Sequence, residues 1–522
     1  MQSMFVNRRR FISDVGRGML VAGLGYSVAH DLNFAPLWVE HDSPDRLNFG
    51  RHERLVTLVQ ETSADQLLPK LVDLVRAGTD VQELVAATAL ANARGFGGED
   101  YVGFHAFMAL MPAYRMALES PVERRALPVL KVIYRTAQRL QDSGRATSDA
   151  LRPLGGEILP GDQHSTETIR QAMHNVDMVA AEHALAAALA QSPEQGWNAL
   201  LPVIHEAPEV HRIVLAHRAW DMLSILGPEH AETMLRQSVR YCVLADSPRE
   251  LHSNHVSELL ARILEQHGLL EPQSIGTRQM DDRWIEAMVE TLFTVAPEQA
   301  AGAIAEAISD GIGLEAVAEA ISLAANLLVL RDPGRSPAEA GPNKPAGSVH
   351  GDSIGVHASD SAHAWRHVAR FSNARNAAAS LVLAGWHVAQ DRTRRGNWDD
   401  KPMRPLPEIT ERIETVEPDK LRLQLDGAIR NQDQELACAI AARYLKLGHP
   451  PRPIFDVLLQ YAISQDGALH AEKYYWTVVD EYEHTRPAFR DRHVIALARV
   501  TASQHGTPAP AYAEMCRLLG CD

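Results

Sequence analysis

The chain has 522 residues, 46% of them hydrophobic, and carries a formal net charge of −15 from 51 basic and 66 acidic side chains. That length can bury a large core, or two cores sharing a cleft. An acidic chain with no basic run beyond residue 10 argues against nucleic acid or anionic lipid as a partner. Aromatic residues make up only 6%, while Ala and Leu are abundant, which favours helix over sheet.

The first element is an address. Asn7-Arg8-Arg9-Arg10-Phe11-Ile12 resembles a twin-arginine export signal, and a Gly-rich apolar stretch follows from Gly18 to Ala29. That stretch is too short for a permanent membrane span, and Ser27-Val28-Ala29 suits a cleavage site. Residues 1–30 are therefore expected to be a signal segment, and the mature chain to be periplasmic or otherwise extracytoplasmic. A basic N-terminus without an address is the plainer alternative. No other segment is apolar enough to span a membrane, so the mature chain is expected to have no such helix.

After residue 50, apolar residues recur at i, i+3 and i+4, as in Leu67-Leu68-Leu71-Leu74-Val75. The expected fold is all-α, a large bundle of divergent helical-hairpin repeats around a central His-rich site. Residues 50–330 form an expected N-terminal helical region. The Pro- and Gly-rich stretch 331–349 reads as a flexible loop, and residues 350–522 as a C-terminal helical region completing the same site. Four segments share one plan, in which an Ala-rich helix, a Gly-containing turn and an amphipathic helix lead to a histidine that opens another helix. Those histidines are His105, His211, His357 and His470. Ala-rich hairpins also resemble one another by coincidence. If the plan holds, four equivalent positions point to one centre, where neutral imidazoles can ligate zinc, iron or copper.

The chain holds 24 histidines, and each candidate also has a bland reading. His105 is a lone polar residue on an apolar helix, the usual place of a hydrogen-bonded core histidine. His217 lies six residues after His211, nearly on the opposite helix face, and reads as surface or as a neighbour of the ligands rather than a ligand. His350, His357, His363 and His367 crowd one stretch. His363 and His367, at i and i+4, can chelate a metal, and Asp352 and Asp360 can orient imidazoles. A solvated His-rich helix start is the alternative. Lys473 shares a helix face with His470; an ammonium repels a cation, so it ligates only when deprotonated or converted to a carbamate. A surface lysine paired with Glu472 is equally open. Neither HExxH, GxSxG nor a phosphate-binding glycine loop occurs in a suitable context. The four cysteines form no CxxC pair, which argues against a thiolate zinc site, and Cys516 and Cys521 can form a disulfide in an oxidising compartment.

At these residues the chain resembles the questin oxidase-like family of helical oxygenases. GFHAFMALMPAYRM is similar to the family's early His-bearing helix, and VHRIVLAHRAWDML to its second motif, which places His211 on a family histidine. GVHASDSAHAWRHV is similar to a two-histidine motif that matches His357 and His363, and LHAEKYYW to a His-x-x-Lys helix that matches His470 and Lys473. Ser359-Asp360-Ser361 and Arg212 depart from the family pattern. The resemblance implies a mononuclear non-haem iron site and oxidative chemistry with O₂ on an aromatic or quinone-like molecule. The expected metal set is His105, His211, His357, His470 and Lys473, with iron favoured and zinc an alternative. His363 and Asp360 are the expected catalytic base or orienting groups, and Phe104, Phe107, Trp365 and Trp476 the expected pocket lining. The rival readings are an exported helical-repeat binding protein without catalysis and a zinc-dependent hydrolase.

Overall fold

Several helices begin where a short side chain accepts a hydrogen bond from a backbone N–H two or three residues ahead. Asp80 does this for Gln82, Asp100 for Gly103, Asp177 for Ala180, Asn373 for Asn376 and Asp433 for Leu436. Each cap satisfies one of the donors that a helix start leaves without an intrahelical partner. The computed structural model describes residues 46–155, 165–245, 253–272, 275–394, 398 and 400–521. The expected export signal within residues 1–30 lies outside them. Among the described residues the fold is all-α, with no strand and only isolated bridges such as Arg278 with Ile312. None of their helices is long and apolar enough to cross a membrane.

The chain forms two compact units whose boundaries do not follow a single cut in the sequence. Of the described residues, the first comprises those up to 204, with those of 218–254 and 513–522; the second comprises those of 205–217 and 255–512. In the first unit, the Val81–Phe96 helix packs on Tyr101–Glu119, which packs on Leu127–Asp142. Leu84, Leu90, Phe107, Leu110, Val129 and Ile133 are buried there. Each such side chain contributes roughly 1.5–3 kcal/mol on leaving water. The buried Asp100 that caps Tyr101–Glu119 also accepts from Arg139 Nε at 2.8 Å, tying the third helix to the second. Cys516 and Cys521, a possible disulfide pair by sequence, are both free thiols.

In the second unit, the Leu314–Leu330 helix packs along Ile354–Phe371, and Ala374–Thr393 packs against both. Small residues permit this closeness. A Cβ added at Gly355 would lie 2.6 Å from the backbone nitrogen of Val329. The His470–His484 helix packs on Ile354–Phe371 and on Asp491–Gln504. Buried Arg499 donates to the carbonyl of Asp332 at 2.8 Å, just past the end of Leu314–Leu330, where helix carbonyls lack intrahelical donors. The stretch expected as a flexible loop contains a short 3₁₀ turn, Pro337–Glu339. It returns Arg335 and Lys344 to Asp352, with Lys344 Nζ 2.7 Å from the carboxylate.

Candidate functional site

Three of the four histidines expected at one centre, His211, His357 and His470, meet in the second unit. His211 is the second residue of the Val210–Asp221 helix, His357 lies in the first turn of Ile354–Phe371, and His470 opens His470–His484. The Nε2 atoms of His357 and His470 are 3.2 Å apart. The His357 ring centroid lies 5.2 Å from that of His470 and 6.2 Å from that of His211. All three stand at helix N-termini, where the positive end of the macrodipole disfavours an imidazolium.

The hydrogen bonds set which ring nitrogen carries the lone pair. His470 donates from Nδ1 to the carbonyl of Gly467 at 3.2 Å. The Nδ1 of His211 donates to the carboxylate of Glu209, two residues earlier. In a neutral ring either arrangement places the lone pair on Nε2, as in metal-binding histidines oriented by a carboxylate or a carbonyl. Burial, reinforced by His211 and by the Lys473 ammonium, pushes His357 down to about 3. Burial, then Lys473 and His357, pushes His470 well below the usual histidine value. Both rings are therefore neutral at pH 7. Burial alone would raise Glu209, but the His211 beside it outweighs this and holds the carboxyl below its ordinary range.

The local chain is shaped around this group. Ala468 and Leu469 both adopt left-handed backbone conformations, with φ of 50° and 65°, immediately before His470. Non-glycine residues reach that region at roughly 1–2 kcal/mol each. A Cβ on Gly351 would lie 2.5 Å from the Cβ of His470, so only glycine lets the chain ahead of His357 pass so close. Lys473 is buried one turn after His470. It is not the surface lysine of the plainer reading. Asp352, considered as an orienting group for an imidazole, is gripped by Arg335 and Lys344.

His105 belongs to the first unit, whereas His211, His357, His470 and Lys473 belong to the second. His105 is buried in the Tyr101–Glu119 helix, and its Nδ1 donates to the carbonyl of Tyr101 at 2.7 Å. Its ring stacks on Phe104 at 5.0 Å and lies 4.3 Å from Tyr101. The bond again leaves the lone pair on Nε2, within an aromatic core.

A second group of histidines lies further along the same helices. His363 and His367 project from Ile354–Phe371 toward Asp480 on His470–His484. Their Nε2 atoms lie 3.0 and 2.8 Å from Asp480 Oδ2. The His217 ring stacks on His367 at 4.8 Å with an interplanar angle of 13°, and lies 5.4 Å from His363. His217 is thus buried within a histidine group, which corrects its reading as a surface residue. His363 and His367 are not a solvated helix start, since His363 is 1% exposed. The partner holding His363 is Asp480, which spacing did not single out. Asp360, expected beside His363 as base or orienting group, accepts from Thr477 Oγ1 at 2.8 Å.

The expected aromatic lining is also distributed differently. Trp365 is fully buried, 5.9 Å from His205 in ring centroids, with Nε1 directed at His387. Phe104 and Phe107 are core residues of the first unit, and Trp476 is half-buried. An open cleft lined by Asp282, Glu286, Arg331 and Arg492 shares no residue with either histidine group. The chain matches no protein-family model, no curated protein and no solved structure.

Proposed function

We propose that the protein is a metal-dependent oxidoreductase, with non-haem iron bound by His211, His357 and His470 and with Lys473 beside them. The observation that carries this reading is the approach of His357 Nε2 to within 3.2 Å of His470 Nε2, both rings being neutral. With His470 presenting its Nε2 lone pair, a proton on His357 Nε2 bridges the two rings, and a cation can take that proton's place between them. Donor atoms on an ion with bonds near 2.1 Å stand roughly 3.0–3.4 Å apart, so the spacing suits neighbouring ligands. An all-imidazole donor set fits iron, zinc or copper and suits calcium or magnesium poorly.

The chain's own residues have definable parts in this reading. Glu209 fixes the tautomer and direction of His211, and the Gly467 carbonyl does the same for His470. Lys473 lowers the proton affinity of both neighbouring rings and keeps their lone pairs available at neutral pH. As an ammonium it repels the cation, and as a neutral amine or carbamate it can join the ligands. When bound, iron supplies electrons and orients O₂ and substrate. The resemblance to questin oxidase-like enzymes points to an aromatic or quinone-like substrate, and the N-terminal arginines to export.

The test is metal analysis of the full chain purified without a histidine tag, joined to oxygen uptake with phenols and quinones. Iron bound to the wild type and depleted in His357→Ala and His470→Ala, with uptake lost in parallel, is the expected result. A well-folded protein with no metal would leave the rival reading, a helical binding scaffold. Zinc in place of iron, with no oxygen uptake, would favour the hydrolase.

A further inference from the structure

We propose that His363, His367 and Asp480 form a second binding site for a divalent first-row transition-metal ion, separate from the one at His357 and His470. The inference does not depend on the oxidoreductase reading. One donor atom from each of these three side chains lies within 4.8 Å of the others. The two Nε2-to-Oδ2 separations, 3.0 and 2.8 Å, approach the roughly 3.0 Å edge between adjacent ligands of a six-coordinate ion with bonds near 2.1 Å. Two histidines one helical turn apart and a carboxylate from a facing helix form a two-imidazole, one-carboxylate set. That set leaves positions open and suits Fe²⁺, Zn²⁺ or Mn²⁺.

Protons alone account poorly for the cluster. Oδ2 of Asp480 faces three imidazoles: His363, His367 and, at 3.4 Å, the Nδ1 of His484. His217 packs on the same rings. One carboxylate balances at most one imidazolium, yet three rings converge on this one. The neighbouring Glu481 is already committed to Arg366, with which it forms a 3.2 Å buried ion pair. Leucine-sized apolar residues would fill this space without any polar group to satisfy, so packing alone gives no reason for four imidazoles around one carboxylate. Without a metal, the two Nε2–H groups donate to Asp480 Oδ2; a divalent ion would displace those protons and take both ring lone pairs together with the carboxylate.

The two groups are also separated along the helices that carry them. His211 and His217, and likewise His357 and His363, are six residues apart, which is about 9 Å of helical rise. The experiment uses the full chain without a histidine tag, stripped by chelator and titrated with Co²⁺ alone, reading visible absorption and bound cobalt per chain. The His363→Gln/His367→Gln variant is expected to bind one equivalent fewer than wild type, and His357→Gln to keep the equivalent lost there. If the double variant keeps the wild-type helical circular dichroism and the wild-type cobalt stoichiometry, the proposal is overturned. It is equally overturned if His357→Gln removes all bound cobalt. Should the double variant not fold, anomalous diffraction from wild-type crystals soaked in Zn²⁺ decides. A peak bonded to His363, His367 and Asp480 supports the site, and no peak there overturns it.

Discussion

The Nε2 atoms of His357 and His470 face each other at 3.2 Å although the residues are 113 positions apart in the chain. An ion bound there stabilises the folded state by mass action, by about 2.7 kcal/mol at a hundredfold excess over its Kd. Added Fe²⁺ or Zn²⁺ is therefore expected to raise the thermal midpoint of stripped protein, and chelator to reverse it. The rise should shrink in His357→Ala and in His470→Ala. An undiminished rise in both variants would remove this pair from the metal set.

Glu209 offers a finer probe because it acts through His211. Glu209→Gln keeps an acceptor near Nδ1 but removes the charge. Loss of such an orienting partner typically weakens metal binding roughly 10–100-fold. Competition against a chromophoric chelator should show that loss with little change in helicity. Wild-type affinity in the variant would mean that Glu209 does not orient a ligand.

Acid should destabilise the protein in a defined window. Burial holds His205 and His493 near 3 against an ordinary 6.5. They stay neutral in the fold while the unfolded chain takes up protons. Their contribution is full above pH 6.5 and is lost as pH falls toward 3, with a slope of up to about 1.4 kcal/mol per pH unit for each. His350, pushed by burial to about 4, adds to the slope over a narrower range. His484 runs the other way. The hydrogen bond to Asp480 raises it, so its contribution is present below the ordinary histidine value and is lost as pH rises through the folded one. The depressed group is the larger, so thermal midpoints measured at pH 7.5 and 5.5 should be lower at 5.5. An equal or higher midpoint at 5.5 would contradict the burial of these rings as neutral species.

Two glycines should respond oppositely to alanine. At Gly355 the new Cβ would meet Val329 nitrogen at 2.6 Å and the Leu328 carbonyl carbon at 2.7 Å, and backbone atoms cannot step aside. Gly355→Ala is expected to lose about 1–3 kcal/mol and to weaken cobalt binding, because the helix carrying His357 and His363 must shift. At Gly302, inside the Pro297–Ser309 helix, nothing lies within 4 Å, so alanine should stabilise by about 0.5–1 kcal/mol. Denaturant midpoints of the two variants on the same side of wild type would refute this account of the packing.

The helical architecture was legible because burial in a bundle imposes a 3.6-residue period on every amphipathic segment, as at Leu67, Leu68 and Leu71. The placing of His211, His357 and His470 in the first turns of their helices was legible from the Gly-containing turns and amphipathic segments ahead of them. Asp480 was not, because its meeting with His363, 117 residues away, depends on how two helices pack, and no spacing encodes that. His217 was left open between the surface and the neighbourhood of the ligands for a related reason, and burial excludes the surface. Its six-residue offset from His211 correctly turns it away from that ring, but sequence cannot show that a second set of imidazoles waits on the other side. The partition into two units, which separates His105 from His211, also follows from packing rather than from a change in composition.

The long sequence separation between His357 and His470 also bears on when a cation can be captured. Neither ring meets the other until nearly the whole chain has been synthesised and the last helices have docked. A loop of that size is among the slower contacts to close. The ion would then act as a late clasp on the finished fold. Its removal should loosen the second unit cooperatively, seen as faster amide hydrogen exchange in helices that carry no ligand, rather than as fraying confined to the binding residues.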